Sequence, residues 1–324
     1  MPLFSLDDLH EAAALVRAVV PPTPAYAWPL LRAHTGVEVI VKHENHTPTG
    51  AFKARGAIVY LDVLRRAGRL PPGLVTATRG NHGQSVALAA ARAGISVAVV
   101  VPHGNSVEKN AAMQGFGAEL IVAGKDFDES RAAAAEIERA RGFHMVPSFH
   151  RELARGVATY ALEFFQAFRD LAVVYVPIGM GSGICGMITV RDLLGLSTEI
   201  VGVVAERAPA FALSVAAGHP VPTATAQTFA DGVACRDPQP EPFAIIRTGA
   251  ARIVQVSEDE IAEAIRILYA DTHNVAEGAG AAALAALMRE RTRYAGRKAG
   301  VILSGGNIDA PMLAAVLTGH TPRA

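Results

Sequence analysis

Short apolar segments rich in β-branched residues alternate with helical segments along most of this sequence, and this alternation is what most constrains its fold. The clearest segment is Ser-Val-Ala-Val-Val-Val at 96–101, since an unbroken apolar run is typical of a strand whose sheet is buried on both faces. Alternating strands and helices predict right-handed βαβ units and parallel sheets. The predicted strands are 37–42, 74–78, 96–101, 118–122, 143–146, 171–178, 200–205 and 300–303, and the predicted helices include 11–20, 83–93, 106–116, 127–141, 154–168 and 278–288.

We therefore predict an α/β protein with two parallel-sheet domains. The first run of alternating segments ends at Pro147 and a second run follows it. The simplest division is a small, mobile α/β domain at residues 73–147, inserted into a large domain made from residues 1–72 and 148–324. Two domains are also the better expectation for this length. Ligands of such folds bind in clefts outside the carboxyl ends of the strands.

The charge balance argues against nucleic-acid and membrane partners. Thirty Lys+Arg and 30 Asp+Glu give a formal net charge of +0, so no positive excess is present to collect phosphates. The apolar segments are far shorter than the roughly 20 residues of a membrane span, and the N-terminus lacks the basic segment of a secretory signal. Cys185 and Cys235 have no metal-type spacing. We expect a cytoplasmic protein.

One lysine carries the strongest chemical signal. Lys53 lies in Thr-Gly-Ala-Phe-Lys-Ala-Arg-Gly at 49–56, between Phe52 and Ala54. Apolar neighbours lower the pKa of a lysine because loss of hydration disfavours the ammonium form, and an unprotonated amine can bind a carbonyl group as a Schiff base. The ring of Phe52 offers a flat face beside that amine. A single lysine is more often a surface residue, so other features must support this interpretation.

Three polar loops follow predicted strands and could share one ligand with Lys53. Gly-Met-Gly-Ser-Gly at 179–183 precedes a helix, and its backbone N–H groups suit a phosphate. Thr-Arg-Gly-Asn-His at 78–82 suits a carboxylate or a phenolic oxygen, and Ser304 could hydrogen-bond a ring nitrogen. An aldehyde, a phosphate, a ring oxygen and a ring nitrogen are together the four groups by which a protein can bind pyridoxal phosphate.

Two other classes of protein stay open on these residues. Gly-Ser-Gly-Ile-Cys-Gly at 181–186 matches the dinucleotide motif G-x-G-x-x-G, and Glu206 follows at the end of the next predicted strand, as in nicotinamide-dependent dehydrogenases. That interpretation leaves Lys53, Asn81 and Ser304 without a role. A non-enzymatic amino-acid sensor on the same fold is the other class, although a sensor that had abandoned catalysis should have lost the lysine.

The ordered set of motifs resembles the fold-type II pyridoxal-phosphate enzymes, and among them the threonine/serine dehydratase and serine racemase group. The resemblance covers nearly the whole chain. Its motifs are Glu-Asn at 44–45, residues 49–57, Gly-Asn-His-Gly-Gln at 80–84, the glycine loop, Asp-Gly-Val at 231–233, Glu277 with Gly-Ala at 280–281, and Ser-Gly-Gly-Asn at 304–307.

The resemblance implies a role for each matching residue. Lys53 would hold the cofactor and serve as the general base. The other expected cofactor-binding residues are Phe52, Asn81, Gly179, Met180, Gly181, Ser182, Gly183 and Ser304, and the expected residues for the substrate carboxylate are Thr78, Arg79, Gly80, Asn81 and His82. The expected partners are a small amino-acid substrate and a second copy of the chain in a homodimer.

The implied reaction is α,β-elimination from a β-hydroxy amino acid of the threonine or serine type, giving a 2-oxo acid and ammonia, and β-replacement is the alternative. Arg79 stands where racemases of the group have a serine, which argues against racemisation. Val157 stands where relatives have a glutamine, which predicts a more apolar substrate such as phenylserine, whereas Arg79 would suit 3-hydroxyaspartate. Ala212 replaces the second acid expected with Glu206, so we expect no metal.

Overall fold

The computed structural model describes residues 2–323, and two sheets organise this part of the chain. The strands found there are β1 (Ala25–Ala27), β2 (Glu38–His43), β3 (Gly73–Ala77), β4 (Ser96–Val101), β5 (Glu119–Val122), β6 (His144–Met145), β7 (Val173–Pro177), β8 (Glu199–Ala205), β9 (Arg252–Val256) and β10 (Lys298–Leu303). The six-stranded sheet has the order β1-β2-β10-β7-β8-β9, and the four-stranded sheet has the order β5-β4-β3-β6. All neighbouring strands are parallel except β1, which pairs antiparallel with β2.

Helices cover the sheets and connect their strands. Within the same residues they are α1 (Leu6–Arg17), α2 (Pro29–Thr35), α3 (Ala54–Arg66), α4 (Asn81–Ala93), α5 (Val107–Gly115), α6 (Phe127–Arg141), α7 (Arg151–Val157), α8 (Thr159–Ala167), α9 (Ser182–Leu193), α10 (Ala210–Ala217), α11 (Pro240–Gly249), α12 (Glu258–Thr272), α13 (Gly278–Glu290) and α14 (Ala310–Leu317), with short 3₁₀ turns at Asp231–Val233 and Arg291–Tyr294. The four-stranded sheet with α4, α5 and α6 is called the small unit below, and the six-stranded sheet with its flanking segments is called the large unit.

Each sheet separates two apolar cores, which explains the unbroken apolar runs of its strands. In β2, Val39 packs into one core and Ile40 into the core on the opposite face. In β4, Val99 and Val100 divide in the same way between two cores of the small unit. Successive side chains of a strand point to opposite faces, so a strand between two cores is apolar on both faces over most of its length. The predicted α/β fold with parallel sheets is confirmed.

The bounds of the two domains, 73–147 against 1–72 and 148–324, stay a prediction. The four-stranded sheet begins at Gly73 and its last strand ends at Met145. However, α3 precedes residue 73 and still contributes Tyr60 and Leu61 to a core of the small unit. We propose that α3 remains with the large unit, because its first residue follows the Lys53 loop directly.

Two helices replace the single helix predicted for residues 154–168. α7 ends at Val157 and α8 begins at Thr159. α7 packs closely on α3, where a Cβ atom on Gly156 would lie 2.3 Å from the carbonyl oxygen of Arg55. In residues 2–323, no helix has the length and apolar character needed to span a bilayer.

Candidate active site

Lys53 is positioned by the register of two neighbouring parallel strands. In the pairing of β2 with β10, His43 lies opposite Leu303, so the loops that follow both strands emerge side by side. Ala51 then forms an isolated antiparallel bridge with Gly305, and the N–H of Phe52 donates to the carbonyl oxygen of Ser304 at 3.1 Å. Lys53 follows directly and is the N-cap residue of α3, although its side chain makes no capping hydrogen bond.

The surroundings of Lys53 favour its unprotonated form. Its Nζ makes no hydrogen bond or ion pair with any residue from 2 to 323. Loss of hydration lowers the pKa of Lys53, and the carboxylates of Glu277 and Asp231 oppose this shift only in part. A lysine with a lowered pKa presents more of the free amine at neutral pH, which is the form that attacks carbonyl groups and accepts protons.

The glycine loop offers a row of free backbone donors. β7 ends at Pro177 and α9 begins at Ser182. Over the described residues, no protein acceptor bonds the backbone N–H groups of residues 179–183. Donors of this kind at a helix N-terminus form a site for an anion. Glycine is required at 179, because a Cβ atom there would lie 2.3 Å from the carbonyl oxygen of Gly232.

Ser304 and Asn81 contribute a hydroxyl and an amide. Ser304 directly follows β10 and is buried, and its hydroxyl makes no hydrogen bond to the described protein atoms. The Asn81 side chain is held at both ends: its Oδ1 accepts from Asn307 Nδ2 at 2.8 Å, and its Nδ2 donates to Glu277 Oε1 at 2.6 Å. An amide nitrogen carries two N–H groups, so one of them remains for a ligand.

One cavity brings these groups together. It is lined by Phe52, Lys53, Asn81, Pro177, Gly179, Met180, Gly181, Ser182, Gly183, Gly232, Glu277, Ala279 and Ser304. These include every residue that the sequence predicts to bind the cofactor, although their contacts with it stay a prediction. Free N–H donors, an amine without a partner and an uncharged hydroxyl match the phosphate, the aldehyde and the ring nitrogen of pyridoxal phosphate. The residues present therefore fit this cofactor.

A second cavity adjoins the first and shares Lys53, Asn81, Gly179, Met180 and Gly232 with it. We call it the substrate cavity. All five residues predicted for the substrate carboxylate line it, namely Thr78, Arg79, Gly80, Asn81 and His82. These residues follow β3 in the small unit, whereas Lys53, the glycine loop and Ser304 belong to the large unit. The site is therefore completed only where the two units meet.

His82 and Arg79 differ sharply in their surroundings. The His82 side chain is buried and its Nε2 has no hydrogen-bond partner among the described residues. Burial lowers the pKa of His82 to about 3, helped by the positive charge of Lys53. His82 is consequently neutral at physiological pH. Arg79 is exposed and makes no ion pair within residues 2–323, so it lies at the mouth of the substrate cavity.

Sequence reasoning missed a charged cluster beside Lys53. The ammonium group of Lys109 lies 2.7 Å from Asp231 Oδ2 and 3.3 Å from Glu277 Oε2. Lys109 and Glu277 are both buried. A signal was available, because Lys109 falls in the first turn of the predicted helix 106–116, where the helix dipole disfavours a cation. A lysine at that position is therefore a weak indication of a compensating interaction elsewhere.

A third cavity adjoins the substrate cavity. We call it the apolar chamber. Its larger apolar side chains include Phe127, Met145, Phe149, Met180 and Pro242. Arg131 and Glu241 also line it and are both exposed. Phe127, Ser148, Ala77 and Met180 line both cavities, so a substrate side chain could extend from one into the other.

One interpretation that used a single position needs correction. Val157 was expected near the substrate, but it is buried between α7 and α3, where its Cγ2 would lie 3.2 Å from a Cβ atom on Gly56, and it lines neither cavity. The apolar chamber is formed by other residues. Glu206, which matches only the first of the two acids expected for a metal site, pairs with Arg289 at 3.3 Å. No group of three His, Cys, Asp or Glu side chains within residues 2–323 could hold a metal ion.

Two parallel-sheet units that meet around a lysine, a glycine loop and a serine define the class of fold-type II pyridoxal-phosphate enzymes. A family model described as "Pyridoxal-phosphate dependent enzyme" matches residues 16–305. The L-threonine ammonia-lyase of Thermotoga maritima is 34% identical over 96% of this chain and 77% of its own length.

Solved structures agree with this match. The processed form of threonine deaminase isoform 2 from Solanum lycopersicum superposes with a TM-score of 0.88 at 30% identity, covering 98% of this chain and 96% of its own. Maize serine racemase superposes with a TM-score of 0.90 at 25% identity, and 97% of each chain is covered.

The chain belongs to the family of pyridoxal-phosphate-dependent enzymes. The fold, the family, the enzyme class of a pyridoxal-phosphate-dependent lyase and the cofactor predicted from the sequence are all confirmed. The nicotinamide-dependent dehydrogenase is therefore set aside as an interpretation of the glycine loop.

Proposed function

We propose that this protein is a dehydratase that converts a β-hydroxy amino acid of the threonine or serine type into a 2-oxo acid and ammonia. The observation that carries the proposal is the position of Lys53 at the boundary of two joined cavities. One cavity has the donors for the cofactor and the other has the polar loop at 78–82. The names of the similar proteins, a threonine ammonia-lyase and a threonine deaminase, support the same reaction.

Lys53 would remove the proton from Cα of the substrate. Bound pyridoxal phosphate would supply the electron sink that makes this proton acidic. The lowered pKa of Lys53 keeps its amine free to accept the proton. Because Nζ has no partner among the described residues, no hydrogen bond has to break before the lysine moves toward the substrate.

The loop at 78–82 would orient the substrate carboxylate. It reaches into the substrate cavity from the N-terminus of α4, where backbone N–H groups favour an anion. Thr78 Oγ1 accepts from the N–H of Gly80 at 3.0 Å, which leaves the hydroxyl hydrogen of Thr78 free to donate. His82, which is neutral at physiological pH, adds a polar ring to this part of the cavity.

Ser304 would contact the ring nitrogen of the cofactor without protonating it. Its hydroxyl is uncharged and cannot act as an acid at neutral pH. The five N–H groups of residues 179–183 would hold the phosphate, and Phe52 would cover one face of the ring. This assignment retains each residue predicted from the sequence and adds Glu277, which fixes Asn81 through its carboxylate at 2.6 Å.

The test is a visible absorption spectrum of the purified protein before and after addition of threonine, with 2-oxo acid and ammonia measured in the same sample. A yellow protein whose band shifts, with both products in equal amounts, is the expected result. Release of neither product from a yellow protein, but incorporation of an added thiol, would identify β-replacement instead. A protein that stays colourless after the cofactor is supplied would refute the proposal.

The Lys53→Ala variant sharpens this test. It should abolish turnover of every β-hydroxy amino acid because it removes both the covalent anchor and the base. Lys125→Ala is the matched control, since the Lys125 side chain is 80% exposed and pairs only with Glu129 on the surface. Turnover by Lys53→Ala at the rate of the control would remove the basis of the mechanism.

The apolar chamber favours a second candidate substrate, a β-aryl serine such as phenylserine. Phe127, Phe149 and Met180 are only partly buried, so their apolar surface is available to a substrate side chain. Burying an aromatic ring in such a site contributes about 2 kcal/mol relative to a methyl group. Threonine offers only a methyl group to the same space.

Relative values of kcat/KM would distinguish the candidate substrates. A preference for phenylserine over threonine is expected if the chamber holds the side chain. A preference for 3-hydroxyaspartate would instead point to Arg79 or Arg131, the exposed cations that line the two cavities. A preference for serine would contradict a specificity for phenylserine and one for 3-hydroxyaspartate. The proposed dehydratase reaction itself would still stand.

We also infer that the protein is a cytoplasmic homodimer. Tyr26 and Leu30 are 52% and 57% exposed beside the edge strand β1, which supports contact with a second copy. Cys185 and Cys235 are unpaired thiols, which a reducing compartment keeps in that state. Light scattering coupled to size-exclusion chromatography would give the mass, and a monomer at micromolar concentration would contradict the dimer.

A further inference from the structure

The N-cap residue and the first turn of α5 make three polar contacts across the cleft between the two units. Ser106 caps the helix and its hydroxyl donates to Asp309. Glu108 Oε1 accepts from the N–H of Ala310 at 2.8 Å. Lys109 makes the third contact, with the carboxylates of the large unit. The first two lie partly or fully at the surface, and only Lys109 is buried.

The position of Lys109 is unfavourable for its own helix. A cation in the first turn opposes the helix dipole, and burial opposes the charged form of any lysine. The pKa of Lys109 is nevertheless raised, because Glu277 and Asp231 outweigh the loss of hydration. The charge of Lys109 is thus maintained by the large unit, not by the small unit to which its backbone belongs.

Lys109 also contacts the loop that faces the substrate. A Cβ atom on Gly80 would lie 2.4 Å from Lys109 Cδ, so the lysine stem lies directly on that glycine. The side chain lines the substrate cavity together with Lys53. Its partner Glu277 accepts from Asn81 as well, at 2.6 Å. The ammonium group, the loop at 78–82 and Asn81 are therefore fixed to the same carboxylate.

We propose that Lys109 is a positioning residue that holds the cleft closed, by placing its ammonium group between Asp231 and Glu277 so that the substrate loop at 78–82 stays over Lys53. The inference rests on the proposed function, because it assigns that loop to the substrate carboxylate. Except for Asn81, the cofactor residues belong to the large unit, so opening the cleft would separate the substrate loop, with Asn81, from Lys53 while leaving the glycine loop and Ser304 beside Lys53.

The expected effect of losing Lys109 is on substrate binding. Lys109→Met keeps the length and the apolar stem of the side chain and removes its charge. If the closed arrangement falls to about a tenth of the population, the apparent affinity for substrate falls about tenfold. KM for threonine should therefore rise about tenfold and kcat should change far less. The visible band of the holoenzyme should be retained, because Lys53, the glycine loop and Ser304 stay together in the large unit.

Amide hydrogen exchange gives a readout that does not depend on turnover. In Lys109→Met, residues 78–82 and 106–110 should exchange faster than in the wild type, both with and without cofactor, while the glycine loop should not. Lys109→Arg should restore slow exchange and most of the affinity, because an arginine can also bridge two carboxylates. Lys125→Met is the matched control for the loss of one lysine charge, and it should leave exchange and KM as in the wild type.

A second variant separates closure from direct contact with the substrate. Asp231→Asn leaves Lys109 in place and weakens its anchor. A closing role predicts that Asp231→Asn raises KM and that the double variant with Lys109→Met is no worse than Lys109→Met alone, since both changes break one interaction. A direct role predicts an unchanged or lower KM for Asp231→Asn, because the ammonium would be freed for the substrate carboxylate, and this result would overturn the proposal.

The remaining outcomes are also decisive. Unchanged KM and unchanged exchange in Lys109→Met would overturn the closing role, as would loss of the visible band, which would place Lys109 in cofactor binding. If Lys109→Met fails to fold, exchange in Asp231→Asn decides by the same criterion. A wild-type protein inert toward every β-hydroxy amino acid would refute the proposed function, while the exchange experiment would still decide whether Lys109 closes the cleft.

Discussion

Replacing Arg55 by methionine should strongly destabilise the protein, far more than replacing an exposed arginine of the same helix. The Arg55 side chain is fully buried, and it donates to Glu44 at 2.8 and 3.0 Å and to Glu163 at 2.8 and 3.0 Å. Lys42 donates to Glu163 at 2.6 Å. Two cations and two carboxylates thus form a neutral network under the start of the helix that carries Lys53.

The size of the destabilisation follows from the charges that remain buried after the substitution. Arg55→Met leaves two buried carboxylates with Lys42 as their single cation, and breaking a buried pair in this way costs about 3–5 kcal/mol. For a chain of 324 residues the entropy of unfolding is about 0.7 kcal/mol per kelvin. The same loss should lower the melting temperature by about 4–7 °C.

Urea and thermal unfolding measure this effect, with two comparisons. Arg65→Met on the same helix removes an arginine whose side chain is 62% exposed, and surface substitutions stay within about 0.5 kcal/mol. Arg55→Met combined with Glu163→Gln leaves Lys42 and Glu44 as one cation and one anion, so it should cost less than the sum of the two single changes. Strict additivity, or an Arg55→Met variant as stable as Arg65→Met, would refute the reasoning.

Three further predictions concern the site itself. The pKa of His82 falls from 6.5 to about 3 on folding, so below pH 6.5 the unfolded chain binds a proton that the folded chain does not. The free energy of unfolding should therefore decrease as the pH drops below 6.5, by up to about 1.4 kcal/mol per pH unit. His82→Gln should remove that part of the slope in urea midpoints measured from pH 4 to 7. Gly179→Ala, whose Cβ would lie 2.3 Å from the carbonyl oxygen of Gly232, should lose about tenfold or more in cofactor affinity, whereas Gly115→Ala, which meets no atom within 4 Å, should not. Phe149→Gln should lower the ratio of kcat/KM for phenylserine to that for threonine by about tenfold, and an unchanged ratio would exclude Phe149 from the specificity.

Sequence patterns predict the central strands and the capped helices of the fold better than the edge strands of the six-stranded sheet. The strand at 96–101 and the helix at 127–141 have the predicted bounds, because an unbroken apolar run and a capped helix are local signals. The edge strands β1 and β9 were not predicted. β1 has three residues and is largely exposed, and β9 is partly exposed, so pairing with a neighbour that is distant in the sequence is what makes them strands.

In the candidate site, too, the sequence predicts residues with local signals and misses those that depend on distant partners. The residues predicted for cofactor and substrate fall in loops after strands, and parallel register brings such loops together whatever lies between them in the sequence. Lys109 was missed because its partners, Asp231 and Glu277, lie more than one hundred residues away. Val157 was misplaced because a motif alignment gives a position in the chain but not the direction of a side chain on a helix.

The separation of the site between two sheets has a consequence for how new enzymes of this kind could arise. The groups that face the cofactor cavity come mainly from loops of the six-stranded sheet, whereas Phe127 and Arg131 of α6 belong to the segment between β5 and β6. A change of α6 alters what surrounds the substrate side chain and leaves the glycine loop and Ser304 untouched. Exchange of this one helix between relatives is therefore a route to altered selectivity with the bond-breaking chemistry retained.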